Sequence, residues 1–143
     1  MKYLVSLAAI LAMCSGFTFS PVTPVTPVTH GPRLVIDTSA SNFGAVPNSG
    51  YAVRTFLLRN TGDAMLHITQ VRPTCGCTVA SLADTLVAPG QSTKLELRLS
   101  ADHRPIGPFA KVVFITSNSR DGSNQWLKFY GHFVKASAAS AQK

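Results

Sequence analysis

The sequence predicts an all-β fold, a sandwich of about seven short antiparallel strands, and three observations carry that prediction. Thr93 to Ser100 alternates Leu95, Leu97 and Leu99 with Lys94, Glu96 and Arg98, which puts the leucines on one buried face and the charges on the other. Turn-forming clusters recur along the chain: Asn48-Ser49-Gly50, Asn60-Thr61-Gly62-Asp63, Pro89-Gly90, Pro105 to Pro108 and Asp121-Gly122-Ser123. Beyond the N-terminal apolar run, no stretch repeats apolar residues at the helical period of about 3.6.

The elements follow in order. Met1 and Lys2 precede an uncharged apolar run from Tyr3 to Met13. That run is shorter than the about 20 residues a membrane-spanning helix needs, and it matches the apolar centre of a secretory signal. Residues 1–20 are therefore read as a signal peptide. Leu11-Ala12-Met13-Cys14 leaves two endings open: cleavage next to Cys14, or a lipobox in which Cys14 is lipidated and becomes the new N-terminus. Residues 21–32 form a linker in which Pro-Val-Thr occurs three times before His30-Gly31-Pro32. Proline at every third position fixes φ and removes donors, so a polyproline II spacer is expected.

Residues 33–135 read as the folded domain. Val35, Phe43 and Val46 mark short early strands, Phe56 with Leu58 and Leu66 with Ile68 two more. Lys111 to Thr116 turns Val113 and Ile115 inward, leaving Val112 and Phe114 on the other face. In the last strand Leu127 and Phe129 alternate with Trp126, Lys128 and Tyr130. The Cys…Trp…Cys spacing of antibody domains is absent, so the sandwich is immunoglobulin-like without being of antibody type. Residues 136–143 are small and polar, and a flexible tail is expected there.

The formal charge is +7, but Arg54, Arg59, Arg72, Lys94, Arg98, Lys111 and Lys128 are spread singly. Nucleic-acid sites concentrate basic residues on one face, so no nucleic-acid partner is expected. Membrane contact is expected only through the signal peptide or a lipid anchor, with the mature chain in the periplasm, at the outer membrane or on the cell surface. No hydrolase, phosphate-loop or dinucleotide motif is present. Glu96 is the single glutamate, which makes a carboxylate pair hard to assemble. No catalytic residue or cofactor is identified, and no enzymatic activity is expected.

Asn60-Thr61-Gly62-Asp63, the Leu66/Ile68 strand, Cys75-Gly76-Cys77-Thr78, Pro89-Gly90, Gly107 with Phe109 and Lys111, Ser117-Asn118 and Gly131 stand in a distinctive order. Over roughly residues 35 to 134 the chain resembles an uncharacterised bacterial exported family (DUF type) with Asn-Thr-Gly and Cys-Gly-Cys-Thr signatures. That family is similar to the Hydin-type (ASH) immunoglobulin-like domains. The resemblance implies an immunoglobulin-like sandwich, an envelope location, frequent lipoprotein anchoring and no established catalytic activity. Related domains act as scaffolding or protein-binding modules, which carries over by analogy. Met65 departs from the pattern, where proline or a small turn residue is expected.

Two segments are candidates for special roles. Asn60 to Asp63 reads as a turn in which Gly62 supplies a positive φ while Asn60 and Asp63 bond the local backbone. Cys75 and Cys77 are the pair that survives export. In an extended strand their side chains share a side, with Cα atoms about 6.6 Å apart, near the upper edge of disulfide range; Gly76 lets the chain bend and close that gap. Three readings stay open. One is a local bridge, small-ringed and more readily reduced than most. Another is Cu(I) held between two thiolates, with Met65, His67 or His103 as extra ligands. The last is thiol–disulfide exchange, with Arg72 as the nearby cation. Zinc fits less well, because its structural sites want four ligands. His30 falls in the linker, His67 and His132 alternate with apolar neighbours and so face solvent, and His103 sits in a turn. The expectation is a structural or interaction module that offers strand edges and loops to another envelope protein. The alternative is a copper or thiol-redox protein using Cys75 and Cys77. Nothing in the sequence sets the oligomeric state.

Overall fold

Alternation of apolar and polar side chains builds strands whose apolar faces need a facing sheet. The computed structural model describes residues 30–136; the segment read as a signal peptide, the lipobox reading at Cys14, the Pro-Val-Thr repeats and most of the tail lie outside them. In chain order the strands are β1 (Leu34–Ile36), β2 (Asn42–Pro47), β3 (Tyr51–Asn60), β4 (Leu66–Pro73), β5 (Thr78–Leu82), β6 (Leu86–Val87), β7 (Ser92–Ser100), β8 (Gly107–Ser117) and β9 (Asn124–Val134). A four-stranded sheet in the order β1-β3-β7-β5 faces a five-stranded sheet in the order β2-β9-β8-β4-β6. The fold is an immunoglobulin-like β-sandwich, as the pattern predicts.

The core lies between the sheets. Leu95, Leu97 and Leu99 of β7 are wholly buried, with Phe56 and Leu58 of β3 beside them. Ile68, Val113, Ile115, Leu127 and Phe129 face them from the other sheet and are equally buried. Each such side chain contributes roughly 1.5–3 kcal/mol of burial.

The structure departs from the sequence reading in two respects. Nine strands form among the described residues where about seven are expected, because β5 and β6 carry little pattern. β5 exposes Val79 at 62% and its inward Ala80 is only half-buried, while β6 has two residues. The strands are also not all antiparallel: β2 runs parallel to β9, from Asn42↔Tyr130 to Pro47↔Val134. The chain leaves the edge of β3 after β1 and crosses to the other sheet still travelling the same way, which makes β2 parallel to its new neighbour. Gly131 permits the approach, since a Cβ there would lie 2.8 Å from the Gly44 carbonyl oxygen.

The crossing exposes part of β3. β1 pairs with Leu58 to Asn60 of β3, and the last bond on that side runs from Asp37 N–H to Leu57 O, 2.9 Å. From Tyr51 to Phe56 the outer edge of β3 has no strand beside it. Two ends of the sandwich can now be distinguished. Residues 31–33, the end of β3 and the start of β4 lie at the entry end; the β4–β5 turn and the end of β7 lie at the opposite end.

Candidate functional site

At the entry end, Asn60 has no exposed surface. Its Oδ1 accepts from the N–H groups of Arg33 (3.1 Å) and Gly62 (3.0 Å). Its Nδ2 donates to the carbonyls of Ala64 (2.7 Å) and Val87 (2.9 Å). One amide thus ties together β1, the turn and β6. Gly62 corrects the sequence reading, because it does not take a positive φ. Its requirement is space: a Cβ would lie 2.1 Å from Gly31 O and 2.6 Å from Arg33 N. Asp63 reaches across the fold as well as bonding its own backbone. Its carboxylate accepts from Gly31 N–H at 2.6 Å and pairs with His30. The Gly31 N–H, and then His30, hold the Asp63 carboxyl below its ordinary value. This turn is a clamp on the entering segment.

The second candidate lies at the opposite end. Cys75 and Cys77 occupy the turn between β4 and β5, not an extended strand, and are joined as a disulfide with Cα atoms 5.2 Å apart. Thr78 N–H donates to Cys75 O (3.3 Å) and Ser100 N–H to Cys77 O (2.7 Å), fixing the turn to β7. Cys77 packs against the hydrophobic core, whereas Gly76 is exposed with open space where a Cβ would stand. The buried Thr78 hydroxyl lies 3.4 Å from Cys75 Sγ and 3.9 Å from Cys77 Sγ. Sequence reasoning missed Thr78, although it completes the Cys-Gly-Cys-Thr element.

Of the other residues named with the cysteines, Met65 and His67 are not gathered there, and His103 shares that end of the sandwich without forming a ligand cluster with the bridge. Met65 and His67 sit at the far end of β4 from the bridge, about 25 Å away along an eight-residue strand. His103 is exposed in the β7–β8 turn with φ 54°. Among the described residues no three His, Cys, Asp or Glu side chains come together as a metal site would need. Arg72, the expected cation, faces outward opposite Phe114. Past Pro73↔Val113 the two strands share one more backbone bond, Thr74 N–H to Val112 O (3.0 Å), where the turn begins.

A third feature was legible only as a general expectation of open edges. In β3, Asn60 N–H and Gly50 O, just before the strand, bond toward β7, while Leu57 O bonds toward β1. Odd-numbered residues therefore point their backbone groups outward, and Tyr51, Val53 and Thr55 do so with no strand to receive them. Beside this edge a groove of about 390 Å³ opens between the sheets, lined by Phe43, Val46, Tyr51, Ala52, Val53 and Arg54. The Arg54 guanidinium stands 5.3 Å over the Phe43 ring and donates to Phe43 O (3.3 Å) and Val53 O (3.1 Å). The acids that form ion pairs among the described residues, Asp63 and Asp121, are engaged elsewhere.

Residues 34–133 match the family described as a protein of unknown function, DUF1573. No curated protein matches the chain. A solved protein of unknown function from Porphyromonas gingivalis W83 has a TM-score of 0.62 at 16% identity, over 77% of this chain and 50% of that one; the chain thus spans about half of its length. The ASH/PapD-like domain 7 of human CEP192 has a TM-score of 0.56 at 14% identity, over 82% of this chain and 98% of that domain. The secreted serine protease VesC from Vibrio cholerae reaches 0.55 at 14% identity, over 75% of this chain and 24% of the protease. At such identities the likeness is one of fold.

Proposed function

The chain belongs to the DUF1573 family, and from that premise we propose that it is an exported protein-interaction module of the cell envelope, which takes an extended segment of a partner protein onto the open edge of β3. The observation that carries this reading is the run from Tyr51 to Phe56, whose outward backbone groups lack a strand. Such an edge completes its hydrogen bonds by strand addition, and neighbouring pockets choose the side chains. The groove beside it presents Tyr51, Ala52 and Val53 over the buried Phe43 and Val46, and Arg54 supplies a positive charge for an acidic side chain of the incoming segment. The apolar run after Lys2 and the lipobox-like Cys14 support export.

A photoreactive amino acid placed at Thr55 tests the reading in cells. The expected result is a crosslink to one extended segment of one envelope protein, lost when Val53→Pro is added. A crosslinking pattern no different from that of a probe at Lys128, on the outer face of the other sheet, would sink it.

A further inference from the structure

We propose that Cys75–Cys77 is a reversible exchange site for a protein dithiol, in which Cys75 is the sulfur that exchanges and the Thr78 hydroxyl receives each departing thiolate. The proposal goes beyond the interaction reading and rests on different residues, on the opposite edge of the four-stranded sheet. Three observations support it. The two sulfurs differ in surroundings: Cys77 packs against the core, whereas Cys75 is not part of that packing. Gly76 is exposed, with open space where a Cβ would stand, so no side chain between the two cysteines covers the turn that carries the bridge. Thr78 is 6% exposed, and the hydrogen-bond partners of its hydroxyl are the two cysteine sulfurs. A threonine kept only for packing would be matched by valine, which buries no hydroxyl. A hydroxyl aimed at two sulfurs is suited to donating to a thiolate, and hydrogen bonds to charged acceptors are the strong ones.

The exchange balances as follows. A thiolate of the partner attacks Cys75 Sγ, a new S–S bond forms, and the Cys75–Cys77 bond breaks. Cys77 leaves as a thiolate within reach of Thr78 and takes a proton from water. The partner's second thiolate then attacks its own sulfur in the mixed disulfide and releases Cys75, which Thr78 also reaches. The partner dithiol ends as a disulfide, having given two electrons and two protons to the cysteine pair.

The test uses the folded mature chain with dithiothreitol and glutathione as probes, alkylation and mass spectrometry as readout, and circular dichroism as a check on folding. Dithiothreitol is expected to open the bridge without denaturant. Cys77→Ser is expected to trap glutathione on Cys75 far more readily than Cys75→Ser traps it on Cys77. Thr78→Val is expected to slow the dithiothreitol reaction about tenfold, the scale of one lost hydrogen bond, while Thr78→Ser keeps the rate. A bridge that yields only in denaturant, equal trapping on the two cysteines, or a Thr78→Val rate equal to wild type would each overturn the assignment. None of these outcomes bears on capture at β3.

Discussion

Asn60 binds four backbone groups from a position with no contact to solvent. Removing such a side chain leaves the carbonyls of Ala64 and Val87 and the N–H groups of Arg33 and Gly62 unsatisfied. Asn60→Ala is therefore expected to cost about 3 kcal/mol in urea denaturation. Asn60→Asp should cost at least as much, since a carboxylate cannot donate to the two carbonyls. Asp63 acts from the surface and through charge. Its carboxyl is lowered from 3.8 by Gly31 N–H and His30, so its contribution is present above that pH and is lost as the pH falls through the lower folded value. The Gly31 amide resonance should follow that acid transition, and in Asp63→Asn it should not. The bridge encloses so few residues that Cys75→Ser with Cys77→Ser should cost no more than about 1.6 kcal/mol in stability. At this scale the sequence was half legible. A turn at Asn60-Thr61-Gly62-Asp63 follows from residue type alone. The crowding of Gly62 by residues 31–33 does not, because it depends on a segment that arrives from about thirty residues upstream.

Among the elements, β7 was readable at sight, because it lies between two strands and must present a strict alternation. Its central Leu97 is wholly buried, and Leu97→Ala should destabilise by roughly 2–5 kcal/mol in thermal or chemical unfolding. β5 lies at a sheet edge with one partner, so its side chains need satisfy little, and its sequence shows correspondingly little. β3 allows a sharper test of hydrogen-bond direction. Val53 N–H points away from β7, so Val53→Pro should leave the fold near its native stability while blocking strand addition. Arg54→Pro removes a donor from the β3–β7 ladder and should unfold the strand. Comparing the two by amide exchange and partner capture separates edge chemistry from folding.

For the whole molecule, two stacked sheets were legible from spacing and turns, but the passage of the chain between them was not. The switch from β1 to β2 depends on where Gly131 lets a neighbouring backbone come close, and no periodicity records it. The outer face of the five-stranded sheet was foreshadowed by the apolar Val112 and Phe114. There Phe114 pairs across the ladder with Trp126, which is 64% exposed, and Tyr130 follows on the same face. Such a face has side chains to offer but no unpaired backbone, so β3 remains the better place for an extended partner.

The parallel course of β2 and β9 has a mechanical meaning. The described chain enters at the clamp end and leaves from β9 at the other end. Tension between a tether at the entry and a load at the exit would draw β2 one way and β9 the other. The bonds of the continuous part, from Ala45↔His132 to Pro47↔Val134, would then be loaded side by side in shear and not peeled one at a time. Under such a pull the domain's endurance would be set by its rate of unfolding and not by its equilibrium stability.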